Sequence, residues 1–221
     1  NSCDAVLLPR FMVAAPQGRS GKTTVSIGLC AAFRQRGLLV QPFKKGPDYI
    51  DPSWLSAAAN ASCRNLDPFL IAEGKLVSSF HQACQKADLA LIEGAMGLYD
   101  GLDQDGFGSS AQVAQLLGAP VILVVNTARM THSVAAMVAG YQHFNSETNI
   151  AGVILNNVSG NRHESKLVMA VEQHCGIPVL GVIPRDTNLC IAERHLGLVP
   201  FKELEEATSV VARMRSSLES H

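Results

Sequence analysis

The sequence has 221 residues, a net charge of −1 and 17% charged residues; with no basic run, the electrostatic footprint of a nucleic-acid binder is missing. Its length allows one large α/β domain or two small ones, able to bury about 70% of the extended surface without staples. No apolar stretch approaches the ~20 residues that a membrane-spanning helix needs, and the first residues lack a charged-then-apolar signal pattern. Six cysteines (Cys3, Cys30, Cys63, Cys84, Cys175, Cys190) form no C-x-x-C pair. They read as reduced core residues of a cytoplasmic protein, with metal binding a poor second. The chain starts at Asn1 rather than Met, which suggests a processed or excised form.

In chain order, an apolar run at 11–15 leads into the stretch APQGRSGKTT (15–24) and then a helical pattern over 23–36. Further apolar, β-branched runs follow at 38–43, 89–92, 121–125, 150–155 and 179–183. Helical patterns alternate with them at 52–59, 75–86, 109–117, 131–144 and 162–175, punctuated by Gly, Pro or polar clusters. Strands separated by helices of about a dozen residues predict a mainly parallel sheet with helices on both faces. The last stretch, 201–218, spaces Leu204, Val211 and Leu218 seven apart with Ala207 and Met214 between. That stripe is too short for a coiled coil and predicts a packing face. With no internal repeat or low-complexity linker, 1–221 reads as one domain.

Chemistry is expected beyond the carboxyl ends of the strands. The first such segment reads as a phosphate-binding loop: Gly18 and Gly21 let the backbone curl, and the following helix points its positive end at the same spot. Lys22 adds a cation for the β- and γ-phosphates, and the Thr23 hydroxyl suits Mg²⁺. The strict G-x-x-x-x-G-K-[ST] pattern is not met, because Pro16 stands where its first glycine would fall. After the second strand, PFKKGPDYIDP (42–52) carries two lysines and the acids Asp48 and Asp51; Gly, Pro and Asp also favour turns for backbone reasons alone. After the third, IEGAMGLYDG (92–101) places Glu93 at a strand end, where an acid can take a Mg²⁺-bound water or the metal itself. Its Asp100 lies in an ordinary turn signal. Asn126 and Thr127 precede Arg129 after the fourth strand, and Asn156 and Asn157 lead toward Arg162 and His163 after the fifth. Such amides read an adenine edge or act as simple caps. Arg194 and His195 fall in a loop near the end, and no histidine has zinc-site spacing.

Together, FKKGPDYIDP, RNLDPF (64–69), IEGAMGLYDG, GVILNNVSGNRHE (152–164) and ERHLGLVP (193–200) resemble the ATP-binding amidation domain of the cobyrinic acid a,c-diamide synthases. The resemblance runs from about residue 10 to 200 and is more distant toward dethiobiotin synthetase and the partitioning ATPases. It implies a three-layer α/β P-loop fold and an ATP- and Mg²⁺-dependent synthetase. Gln17, Gly18, Arg19, Ser20, Gly21, Lys22, Thr23 and Thr24 then form the nucleotide loop, and Lys44 matches a lysine facing the γ-phosphate. Asp48, Asp51, Glu93 and Asp100 match the family's acids, and Asn156 matches a position near adenine. Arg19 stands where the family usually has Gly, Lys45 where it has an apolar residue, and Asn126 where it has Asp.

The resemblance further implies amidation of the a- and c-carboxylates of cobyrinate, or of a closely related tetrapyrrole, through acyl phosphates. Lys22 and Lys44 would serve the transferring phosphoryl group, and Thr23, Asp48 and Glu93 the Mg²⁺. Asp51 and Asp100 would orient substrate or take a proton from ammonium, and Lys45, Arg129 and Arg162 would meet substrate carboxylates. Family members usually carry a glutamine amidotransferase domain with a nucleophilic Cys, yet no cysteine here stands in a G-x-C-x-G turn. The chain is therefore expected to be the synthetase half of a longer protein, or one that takes ammonia from a partner in trans. A homodimer is also compatible. The competing readings are a dethiobiotin-type carboxylate ligase, which would lack the GPDYIDP and GLYDG strings, and a partitioning-type regulatory ATPase, which usually carries a lysine early in its phosphate loop.

Overall fold

The computed structural model describes residues 8–186, 189, 193–194 and 197–220; Cys3, Cys190 and His195 lie outside the described residues. In chain order the elements are β1 (Arg10–Ala14), α1 (Lys22–Gln35), β2 (Val40–Lys45), α2 (Ile50–Ala59), β3 (Arg64–Leu66), α3 (Glu73–Ala83) and β4 (Leu89–Glu93). Next come α4 (Ser110–Leu116), β5 (Val121–Asn126), α5 (Ser133–Phe144), β6 (Ile150–Val158), α6 (Asn161–Cys175) and β7 (Val179–Pro184). An antiparallel pair, β8 (Glu193–Arg194) and β9 (Gly197–Leu198), a single 3-10 turn (Phe201–Glu203) and α7 (Ala207–Glu219) follow. Arg194, expected in a loop, thus lies in β8.

Seven strands form one sheet in the order β3-β2-β4-β1-β5-β6-β7, and every pairing in it is parallel. A parallel sheet must be covered on both faces, and the strand alternation shows how. Met12 and Ala14 of β1 pack with Leu76 and Phe80 of α3, Val113 of α4, Val138 of α5 and Leu167 of α6. Val13 between them packs with Val25 and Ile27 of α1, Trp54 of α2 and Val210 and Met214 of α7. Two cores on one sheet make the expected three layers. The stripe in 201–218 is a packing face, confirming that reading, and Gly28 is where α7 lies on α1: a Cβ there would meet Leu218 and come within 2.9 Å of the Met214 carbonyl.

One strand escaped the sequence reading. β3 has three residues, only the last of them buried, so it presents no apolar run. Its pairing with the end of β2 forms it: Phe43, Lys44 and Lys45 align with Arg64, Asn65 and Leu66, and the Asn65 amide donates to the Gly46 and Asp48 carbonyls at 2.7 and 2.6 Å.

Candidate functional site

The site grows from the turn between β1 and α1. Gly21 is left-handed at φ +100°, and a side chain there would collide with the Asn156 amide, so glycine is required. The other left-handed residue is Arg19, at φ +58°, whereas Gly18 has an ordinary φ and open space around it. The curl assigned to Gly18 and Gly21 is therefore carried by Arg19 and Gly21. A left-handed non-glycine costs roughly 1–2 kcal/mol, which is why glycine suits position 19. Two hydrogen bonds fix the loop: the Ser20 hydroxyl donates to the Gln17 carbonyl (3.0 Å), and Asn156 Nδ2 on β6 donates to the Ser20 carbonyl (3.0 Å). Gln17, Gly18 and Arg19 form an exposed rim, and Thr24 is half-buried in the first turn of α1. That turn's free N–H groups face the same loop, an arrangement suited to phosphate.

Sheet register brings the charges together. Glu93, the last residue of β4, aligns with Lys44 on β2 and with Val13 on β1. Lys44 Nζ consequently lies 2.9 Å from Glu93 Oε1 and 2.7 Å from Asp51 Oδ2 on α2. The Thr23 hydroxyl donates to the same Glu93 Oε1 at 2.6 Å. Glu93 has no exposed surface and Lys44 is 4% exposed. Burial works against the Lys44 charge, but the Glu93 and Asp51 carboxylates outweigh it and raise its pKa above the ordinary lysine value. Burial pushes Glu93 upward, opposed chiefly by Lys44. Lys22 is lowered to about 8 by burial and then by Lys44, with Glu93, Asp51 and Asp100 acting in the opposite sense.

Glu93 Oε2 is buried and has no hydrogen-bond partner. An unbonded buried carboxylate oxygen is costly, and here it stands next to the Thr23 hydroxyl. Hard oxygen donors at the edge of a phosphate loop suit Mg²⁺, so Glu93 and Thr23 are the residues that fit a metal. Asp48 is engaged differently: its Oδ1 accepts from the backbone N–H groups of Ile50 (2.8 Å) and Asp51 (3.4 Å), building the start of α2. Asp51 is the acid of this pair that contacts the buried cluster.

The segment after β4 folds back over the phosphate loop. Lys22 Nζ donates to the Met96 carbonyl at 2.7 Å and the Gln17 carbonyl at 3.2 Å. Asp100 Oδ2 accepts from the Gly97 N–H at 2.8 Å. A Cβ on Gly97 would lie 2.5 Å from both this carboxylate and the Pro16 carbonyl, so glycine allows the close approach. Sequence reasoning missed two tyrosines here. Tyr141 on α5 donates its hydroxyl to the Pro16 carbonyl (2.8 Å), and Tyr99 donates to the Tyr141 carbonyl (2.6 Å). No local pattern marks them, because their partners are over forty residues away.

At the ends of β5 and β6, Asn126 Oδ1 accepts from Asn157 Nδ2 (3.0 Å) and from the Ala128 N–H (3.1 Å). Asn126 thus keeps a polar role despite its departure from Asp. Asn156 contacts the phosphate loop, as given above. Lys45, Arg129 and Arg162 stand on separate elements, at the end of β2, after β5 and in the first turn of α6. Cys30 and Cys84 are buried, and Cys63 and Cys175 half-buried, all as free thiols. Among the described residues, no group of three or more His, Cys, Asp or Glu is arranged to hold a metal ion, and no helix is long and apolar enough to cross a membrane.

Known proteins share both the fold and the sequence. A cobyrinate a,c-diamide synthase of Magnetococcus marinus is 50% identical over 97% of this chain and 46% of its own length. A hydrogenobyrinate a,c-diamide synthase of Brucella anthropi is 47% identical over 96% of this chain and 48% of its own length. The chain therefore spans about half the length of the curated relatives it matches. In fold it is similar to the signal recognition particle receptor FtsY of Elizabethkingia anophelis (TM-score 0.58, 18% identity, 94% of this chain and 65% of that one). It is also similar to the hydrogenase maturation factor HypB of Archaeoglobus fulgidus (TM-score 0.52, 10% identity, 95% and 90%). Residues 11–199 match the model of one family from the first strand to the residue that accepts the Trp54 indole N–H, and the chain belongs to that family, the CobQ/CobB/MinD/ParA nucleotide-binding domains.

Proposed function

We propose that this chain is the synthetase module of a tetrapyrrole a,c-diamide synthase, using ATP and Mg²⁺ to convert two side-chain carboxylates of cobyrinate, or a close analogue, into amides. The carrying observation is the buried cluster of Thr23, Lys44, Asp51 and Glu93 beside Lys22, together with the relatives' names. Glu93 and Thr23 would hold Mg²⁺, which when bound neutralises charge on the nucleotide phosphates.

A carboxylate does not condense with ammonia in water, because oxide is too poor a leaving group. In the proposed sequence a substrate carboxylate oxygen attacks the γ-phosphorus of ATP, the bond to the β,γ-bridging oxygen breaks, and ADP leaves. Ammonia then attacks the acyl carbon, the C–O bond to phosphate breaks, and phosphate carries away the leaving electron pair. Lys22 and Lys44 bind the transferring phosphoryl oxygens, so their contacts to Met96 and Glu93 are exchanged for phosphate when the nucleotide enters. Asp51 holds Lys44 in place, while Asp48 fixes the turn from which Asp51 projects. Asp100, on the segment that folds over the loop, orients the second reactant or takes the proton lost by ammonium. Asn156 supports the nucleotide through the loop it grips. Ammonia comes from glutamine hydrolysed by an amidotransferase domain outside these 221 residues.

The test is ADP release with Mg·ATP and ammonium chloride, with and without cobyrinate, followed by mass spectrometry of the corrinoid. A cobyrinate-dependent rise in ADP with conversion of one and then two carboxylates to amides is the expected result. ATP binding with no stimulation and no mass change would overturn the reading.

A further inference from the structure

The two halves of the sheet end differently. Beyond β5 and β6 the chain presents the amides of Asn126, Asn156 and Asn157, and among the described residues no large apolar side chain is exposed in those segments. Beyond β2, β3 and β4 the reverse holds: Tyr49, Phe69, Leu70, Met96 and Leu102 are 65–77% exposed, and Phe107 is 39% exposed. Six large apolar side chains left in water on the segments that follow three neighbouring strands make this side of the sheet edge a candidate interaction surface.

Hydrogen bonds tie these segments into one surface. Asn65 on β3 donates to the Gly46 and Asp48 carbonyls just before Tyr49. Gln112 on α4 links Glu73 at the start of α3 (2.9 Å) to the Gly108 N–H beside Phe107 (2.6 Å). The Leu102 N–H donates to the Phe107 carbonyl at 2.8 Å. The surface is continuous with the site already described, since the Met96 carbonyl accepts from Lys22 and Tyr49 lies between Asp48 and Asp51. A substrate carboxylate has to reach the position between Lys22 and Lys44, so the body of the substrate must lie within one side chain's length of it. On the β2–β4 side the chain segments that contact these lysines also carry the exposed side chains of Tyr49 and Met96.

We infer that Tyr49, Phe69, Leu70, Met96, Leu102 and Phe107 form a platform for the hydrophobic face of a carboxylate-bearing macrocycle, placing its edge over Lys22 and Lys44. This rests on the reading that the chain acts on a tetrapyrrole. It assigns the macrocycle to the β3-β2-β4 half of the sheet and away from Arg129 and Arg162, leaving Lys45 as the one of those three expected cations within that half. Substrate discrimination then resides in the apolar loops, while phosphoryl transfer is left to the buried cluster.

The test is an absorbance titration of cobyrinate into the 221-residue chain with Mg²⁺ and a non-hydrolysable ATP analogue. It is run on the wild type, a Phe69→Ser/Leu70→Ser double variant and Leu102→Ser. Burial of one large apolar side chain supports roughly tenfold or more in affinity, so each variant should bind cobyrinate at least about tenfold more weakly, with unchanged affinity for a fluorescent ATP analogue. Unchanged cobyrinate affinity in both variants overturns the platform and leaves the functional reading intact. No binding by the wild type overturns that reading and the platform with it. A wild-type dimer in sedimentation that the substitutions convert to monomer would also overturn the platform, as a self-interface.

Discussion

Glu93 enters the interior with one oxygen bonded to Lys44 and Thr23 and the other bonded to nothing. Its amide isostere keeps the shape and removes the charge that would hold the metal. Glu93→Gln should therefore lower the rate of substrate-dependent ADP release by roughly a hundredfold or more, with the fold retained by circular dichroism. The neighbouring acids separate by a second comparison. Asp51 contacts Lys44 at 2.7 Å, whereas Asp48 accepts two backbone N–H groups through an oxygen that asparagine also possesses. Asp51→Asn should cost at least tenfold more turnover than Asp48→Asn; equal losses would place Asp48 in the charge cluster as well. This division was not legible in GPDYID, where both acids follow a Gly-Pro turn and both suit a helix start. The positions of Lys22 and Thr23 at the start of α1 were legible because a phosphate loop of this kind runs straight into a helix. Arg19 shows the limit: a left-handed φ on a non-glycine residue leaves no mark in composition.

At the scale of elements, the long buried strands could be read because a parallel strand covered on both faces is a continuous apolar run. β3 could not, since its pairing with β2 and the Asn65 bonds to the next turn replace any apolar signal. The contact of α7 with α1 was half legible. The apolar stripe announced a packing face, but Gly28, which decides how near the two helices lie, reads in isolation as a weak helix residue. A Cβ at Gly28 would meet the Leu218 side chain, which can turn away, and the Met214 carbonyl, which belongs to a helix backbone and cannot. The helix propensity gained by Gly28→Ala is about 1 kcal/mol, while forcing extra volume into a packed interface costs about 1–3 kcal/mol. The net effect should be destabilising, read as a lower urea midpoint at unchanged slope. A higher midpoint would mean that α7 can shift outward at no cost.

On the scale of the whole molecule, one sheet divides two cores and gathers at its carboxyl edge a phosphate loop, a buried ion cluster and two unlike surfaces. In the proposed function the groups that serve phosphoryl transfer are drawn from that edge, but releasing ammonia from glutamine needs a nucleophilic thiolate. The described cysteines are poor candidates: burial raises the thiol pKa of Cys30, Cys63 and Cys175, and that of Cys84 to about 11. Cys3 and Cys190 lie outside the described residues, and neither stands in a G-x-C-x-G turn. With Mg·ATP and cobyrinate, the 221-residue chain should therefore form amides from ammonium chloride and none above background from glutamine. Adding a glutamine amidotransferase in trans should restore glutamine use only if ammonia reaches the carboxyl edge from outside. Amide formation from glutamine by the chain alone, abolished by one Cys→Ser substitution, would instead locate the nucleophile within this domain and overturn the division of labour between the two halves.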